Sequence, residues 1–261
     1  MAQGSSRQGG VPARPARAVL FDWGGTLVDY PASNARPDDH ALCVRSAYDC
    51  LVGDGLLDAA TPWERFQPVY MAETLSLIRR AAETHEEHSF LERFGNTFAR
   101  LGLAHPGDDR FGPVVEVLSD ALIAHCRPMP GAEALLNALA GRLPVAVVSN
   151  FPHRPVVEGT LAEAGFERHL DALVVSADLG LAKPHPEIYR TAAAKLGVAP
   201  EDCLFVGDEP LADVVGPARL GCTTALLPGR HGMAVIEEPS FRIASLDELL
   251  GLPVLAHLRS G

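Results

Sequence analysis

Four short apolar runs in this chain end in residues that could do chemistry together. Ala18 to Phe21 runs into Asp22, within Phe21-Asp22-Trp23-Gly24-Gly25-Thr26-Leu27; Val145 to Val148 ends in Ser149-Asn150. Leu204 to Val206 ends in Gly207-Asp208, with Asp213 five residues on, and Lys183 follows the run Leu173 to Val175 in Gly180-Leu181-Ala182-Lys183-Pro184-His185-Pro186. Asp and Ser often do no more than end a strand or cap a helix. Four ends that together deliver three carboxylates, a hydroxyl and one ammonium are better explained as a site. Asp22, Asp208 and Asp213 outweigh Lys183 by two negative charges. A divalent cation cancels that excess, and an all-oxygen donor set with retained waters suits Mg2+.

Such a set needs a scaffold that brings the strand ends to one edge. The apolar runs, with Thr224 to Leu227 as a fifth, read as parallel strands buried on both faces. Helix-length segments lie between them: Ala132 to Ala140, Val156 to Ala164, Glu187 to Leu196 and Ala212 to Leu220. Alternation of this kind predicts a doubly wound α/β core, in which ligands bind beyond the carboxyl ends of the strands. Between Arg36 and Cys126 the strand-like runs vanish and helical spacing takes over, which predicts an inserted helical unit. Phe90, Phe94 and Phe98, with Leu91 and Leu101, form a stripe there that reads as packing. Residues 1–17, rich in Gly, Ser, Gln, Pro and Arg, read as a disordered tail. The expected division is therefore a tail over 1–17, a core over 18–35 and 128–261, and a helical cap over 36–127.

Composition narrows the partners. A chain of 261 residues, 47% hydrophobic and 21% charged, can bury a sizeable core. A net charge of −11 argues against a nucleic-acid backbone as the ligand. No apolar run approaches the roughly 20 residues that span a bilayer, and the first ten residues are not built like a signal peptide. Five cysteines with no Cys-x-x-Cys pair fit a reducing cytoplasm. Of 22 basic residues only Lys183 and Lys195 are lysines, so chemistry that needs an amine has two candidates.

The order and spacing of these motifs from Ala18 to Leu250 resemble the haloacid dehalogenase superfamily of hydrolases. The resemblance implies that Asp22 is a nucleophile forming an aspartyl-phosphate, that Ser149 and Lys183 hold the transferring group, and that Asn150, Thr26 and Gly25 border the substrate. It implies Mg2+ held by Asp22, the Gly24 carbonyl and Asp208, with Asp213 anchoring a metal-bound water or Lys183. The insert resembles the mobile cap that selects substrates in that superfamily. The expected substrate is a small phosphorylated metabolite.

One position departs from the phosphatase pattern, which is Asp-x-Asp at the first motif: here Gly24 replaces the second Asp, the usual general acid and base. Haloacid dehalogenases share the departure, but their acidic motif is altered, whereas Gly207, Asp208 and Asp213 are present here. Phosphonoacetaldehyde hydrolases share it too, with Asp-Trp-Ala-Gly-Thr, but need a cap lysine, and Arg36 to Cys126 contains none. An arginine there is no amine nucleophile. The preferred reading is a phosphatase branch with Asp-x-Gly; the others are displacement at carbon, or a phosphate-ligand binding protein with weakened catalysis. His153 and Glu209 are candidates for the missing acid or base. His85-Glu86-Glu87-His88 reads as a solvated face rather than a metal cluster. Arg45, Arg79 and Arg80 are possible cap contacts to substrate, with nothing to choose among them.

Overall fold

The computed structural model describes residues 14–31, 37–58, 60–229 and 237–259. β1 (Ala18–Phe21) and a short β2 (Val28–Asp29) lead into α1 (Pro37–Gly53), α2 (Trp63–Thr84), α3 (Phe90–Leu101) and α4 (Asp108–His125), after which β3 (Arg127–Pro128) returns to the core. There follow α5 (Ala132–Leu139), β4 (Val145–Ser149), α6 (Arg154–Glu163), β5 (Ala172–Val175), α7 (Ser176–Leu179), α8 (Pro186–Lys195) and β6 (Cys203–Gly207). A π-helical turn over Pro210–Val215 runs into α9 (Gly216–Ala218), then β7 (Thr223–Leu226) and β8 (Phe241–Arg242).

Six strands form one parallel sheet in the order β5-β4-β1-β6-β7-β8. The chain leaves β1, builds outward through β4 and β5, then crosses back to lay β6, β7 and β8 on the other side. The order therefore reverses at β1, and the crevice beyond its carboxyl end, flanked by β4 and β6, is where an open α/β sheet binds ligands. Phe21 pairs with Val147 on one side and Val206 on the other, so Asp22 leaves the sheet between two strands whose own ends carry polar residues.

Apolar character on both faces of the strands has a direct structural consequence. Val19, Phe21, Val145, Val147, Leu204 and Val206 belong to one buried cluster, while Ala18, Leu20, Ala146, Val148 and Phe205 belong to another. Neighbouring residues point to opposite faces, and helices cover both. The first cluster continues into the helical insert through Phe94, Phe98 and Phe111. The Phe stripe packs as expected, with Phe90, Phe94 and Phe98 all buried. Its helix, α3, starts at Ser89, whose Oγ accepts from the Glu92 amide at 3.1 Å, and stops at Gly102 in a left-handed conformation.

Three local features differ from the sequence reading. β2 and β3 pair antiparallel where the insert leaves and re-enters the core, Val28 with Pro128 and Asp29 with Arg127; two residues per strand give no periodicity to detect. The helix expected over Ala212 to Leu220 is instead the π-helical turn and the short α9. Pro217 offers no amide to an ordinary helix, and Asp213 folds back onto the backbone that precedes it. Of the leader, residues 1–13 lie outside the described residues, whereas Ala16 is buried and bonds the Val254 carbonyl, and Arg14 and Arg17 pair with Asp202. All five cysteines are free, and no described helix is long and apolar enough to cross a membrane.

Candidate active site

Asp22 is delivered by β1: its amide still donates to the Val206 carbonyl at 2.9 Å, as a ladder residue would, while its side chain lies beyond the sheet. Lys183 reaches it from the loop after α7, with Nζ donating to Asp22 Oδ1 at 2.6 Å and to Asp213 Oδ1 at 2.8 Å. The other oxygen of Asp213, Oδ2, accepts the amides of Asp208 and Glu209 at 3.1 and 2.9 Å. Asp213 thus ties the Lys183 ammonium to the end of β6, and the π-helical turn lets its side chain point back there. Gly207 makes room for it, since a Cβ at that residue would stand 2.3 Å from the Asp213 carboxyl carbon. Gly25, at φ +88°, does the same for Asp208, whose Oδ2 would lie 2.5 Å from any Cβ.

Asp22, Asp208 and Asp213 are buried and offer oxygens within 4.8 Å of one another. Of these three carboxylates, two, Asp22 and Asp213, bond the Lys183 ammonium directly. Burial disfavours every one of these charges. Burial, helped by Asp213, pushes the Asp22 carboxyl up despite the neighbouring ammonium. Burial alone would lower Lys183, yet Asp213 and Asp22 together push it up, so it stays protonated. Glu209, beside the cluster, is pushed up to about 7 by burial and by Asp213 and Asp208, against the pull of Lys183. A buried, oxygen-only donor set with excess negative charge fits a small hard divalent cation such as Mg2+.

Residues 16–221 match the model of the haloacid dehalogenase-like hydrolase family. The chain belongs to that family. Among similar proteins, the pyrimidine 5'-nucleotidase YjjG of Escherichia coli is 31% identical over 53% of this chain and 62% of its own length. The glyceraldehyde 3-phosphate phosphatase of Methanopyrus kandleri is 26% identical over 85% of this chain and 88% of its own. Two structures, each covering 93% of this chain, share the fold: the HAD hydrolase YfnB of Bacillus subtilis bound to magnesium, matched over its whole chain (TM-score 0.65, 21% identity), and 2-haloacid dehalogenase of Pseudomonas syringae, matched over 99% of its chain (TM-score 0.67, 18% identity).

In this HAD-like hydrolase the other residues expected at the crevice have the following surroundings. The Asn150 carboxamide, read as a substrate contact, closes on the backbone of Lys183: Oδ1 accepts its amide at 2.6 Å and Nδ2 donates to its carbonyl at 2.9 Å. The Gly25 amide is bonded to the Val28 carbonyl at 2.8 Å, so the contribution of Gly25 is the space it leaves. Thr26 Oγ1 is buried without a hydrogen-bond partner, and Ser149 is buried at the end of β4. Gly24 has open space, the nearest neighbour of a Cβ there being Tyr30 Cβ at 4.0 Å. His153 is engaged with the helical insert, its Nε2 3.8 Å from Glu116 and its ring 5.9 Å from that of Phe90.

The solvated face expected at His85 to His88 is a docking loop. Glu87 donates its amide to the Gly180 carbonyl, His85 accepts the Ala182 amide, and Glu87 takes a short hydrogen bond from Ser176 Oγ. This loop braces the segment that carries Lys183. Arg45 pairs with Asp49 on an exposed face, Arg80 with Glu92, and Arg79 is exposed. Among the described residues the arginine that is buried is Arg93, which the sequence reading did not single out. The available signal was its position among Phe90, Phe94 and Thr97, inside the apolar stripe.

Proposed function

We propose that this chain hydrolyses a small phosphorylated metabolite, with Mg2+ as cofactor and Asp22 as the group that takes the phosphoryl. The observation that carries the reading is the Lys183 ammonium held between Asp22 and Asp213 beside Asp208. Such a site is built for an electrophile that brings its own negative charge along with a metal. The names of the relatives, a nucleotidase and a sugar-phosphate phosphatase, support the same reading. So does phosphoglycolate phosphatase of Salmonella choleraesuis, 28% identical over 91% of this chain.

In this reading Asp22 Oδ attacks phosphorus, the bond to the leaving oxygen breaks, and water then cleaves the aspartyl-phosphate to free carboxylate and inorganic phosphate. Lys183 holds the attacking carboxylate and one phosphoryl oxygen, and Asp213 and Asp22 together keep it protonated. Ser149 and Thr26 offer hydroxyls to the other oxygens, while Asn150 fixes the Lys183 backbone. Asp22, Asp208 and the Gly24 carbonyl would hold Mg2+, with Asp213 behind them. When bound, the ion would neutralise charge developing on the phosphoryl oxygens. The four helices between β2 and β3 act as the cap over the site. Gly24 supplies no proton, so the leaving oxygen depends on its own acidity, on water or on a neighbour such as Glu209.

The test is to incubate the protein with Mg2+ and acetyl phosphate, then reduce with borohydride. Conversion of Asp22 to homoserine, absent from Asp22→Asn, is the expected result. No label on Asp22, together with chloride release from chloropropionate, would replace this reading with displacement at carbon.

A further inference from the structure

The cap contains a buried cation that no described residue neutralises. Arg93 on α3 is 7% exposed, its Nε has no hydrogen-bond partner, and no described carboxylate pairs with it. The two nearby acids on the same helices are otherwise engaged: Glu73 with Asn96 and Arg100, Glu92 with His88 and Arg80. What faces the guanidinium is neutral. Its central carbon lies 4.9 Å from the Phe90 ring centroid and 5.9 Å from that of Tyr70. The buried Tyr70 hydroxyl makes no well-formed hydrogen bond, and the charge that acts on it is that of Arg93. His40 on α1 also feels the charge, which adds to the burial that holds its imidazole neutral. Ring faces recover part of the cost of burying a cation, and an anion would recover the rest.

Arg93 also lies on the side of the cap that meets the strand ends. Phe90, one turn before it, packs 5.9 Å from Phe151 in the loop after β4; Phe151 in turn packs 5.0 Å from Trp23 and 5.3 Å from Tyr30. Trp23 follows Asp22 directly, and Tyr30 borders the open space at Gly24. A contiguous layer of rings therefore joins Arg93 to the proposed nucleophile.

From this arrangement we infer that Arg93 binds a second anionic group on the substrate, a carboxylate or a phosphate distal to the phosphoryl that Asp22 takes. The inference rests on the reading of Asp22 as the phosphoryl acceptor. Arg93 is the residue by which the cap selects anionic-tailed substrates over neutral ones. The guanidinium offers a fork of donors to either oxyanion, and the site is dry enough for the bond to count.

The test compares kcat/KM for hydroxyethyl phosphate, phosphoglycolate and ethylene glycol bisphosphate, which carry a neutral, a carboxylate and a phosphate tail, in the native protein, Arg93→Met and Arg93→Lys. Using the ratio between proteins cancels differences in leaving group. Native protein should prefer one anionic tail over the neutral one by about 10- to 100-fold, the range of a charge-assisted hydrogen bond. Arg93→Met should erase that preference, chiefly through KM, and Arg93→Lys should keep part of it. The preferred tail tells carboxylate from phosphate. The same tail preference in Arg93→Met as in native protein overturns the inference; a merely structural arginine would change melting temperature and leave the ratio alone. Should no ester turn over and Asp22 take no label, the proposed function fails, and the inference is then decided by thermal shift with malonate and methylphosphonate. Stabilisation of native protein that is lost in Arg93→Met sustains it, and equal or absent shifts reject it.

Discussion

Gly24 is the residue where chemistry and structure make the sharpest demand. Without an acid at that position, turnover should depend steeply on leaving-group acidity, with acyl and aryl phosphates far ahead of simple alkyl phosphates. The space beside Gly24 accepts a side chain, with Tyr30 Cβ at 4.0 Å from the added Cβ. Gly24→Asp should therefore speed alkyl esters by about 10²-fold, the contribution of a positioned general acid, and aryl esters little. Rates over a series of leaving-group pKa values in both proteins check this; a shallow slope in the native protein would mean that a proton donor is already in place. Glu209→Gln would then be measured first, since burial and the two nearby aspartates hold Glu209 at about 7.

Lys183 makes a second residue-scale prediction. Removing the ammonium in Lys183→Met leaves Asp22 and Asp213 buried without their cation. Breaking a buried pair on one side costs about 3 to 5 kcal/mol, so the variant should unfold at lower denaturant without metal. Mg2+ should recover more stability for the variant than for native protein. Denaturant midpoints with and without Mg2+ measure both; equal midpoints without metal would show that the pair contributes nothing to stability.

At the scale of elements, the loop between α2 and α3 couples the helical insert to the segment that holds Lys183. Two backbone hydrogen bonds, Glu87 to Gly180 and Ala182 to His85, join them, and Ser176 connects Glu87 to the Phe151 amide, which donates to its Oγ at 2.8 Å. Glu87→Ala should weaken this brace by about 1 to 2 kcal/mol and speed amide exchange at Ala182 roughly tenfold. Exchange confined to the α3 amides, with Ala182 unchanged, would show that the brace does not depend on the carboxylate.

At the scale of the whole molecule, pH acts through a buried histidine. His40, buried in α1, has its pKa lowered from 6.5 to about 4, by burial first and by the Arg93 charge second. The unfolded chain then binds a proton that the folded chain refuses between those values. Stability linked to His40 is fully present above pH 6.5 and falls as pH drops toward 4, by at most about 3 kcal/mol. The unfolding free energy of native protein relative to that of His40→Gln should fall across that window as pH drops, because Gln takes up no proton. Parallel curves would show that His40 titrates alike in both states.

How much of this was legible in the sequence follows from the range of the interactions. Ala18 to Phe21 and Leu204 to Val206 announced themselves because a parallel strand buried on both faces must be apolar throughout, and Asp22, Lys183, Asp208 and Asp213 stood out against those runs. Chain order and strand ends alone placed the crevice. Partners could not be read that way. That Asn150 clamps the Lys183 backbone, that Glu87 braces the same loop, and that Arg93 lies buried with no counter-ion among the described residues are facts about side chains from separate elements meeting across the fold. A local pattern records which residues must leave water; only tertiary contacts decide which charges are answered once they have left it.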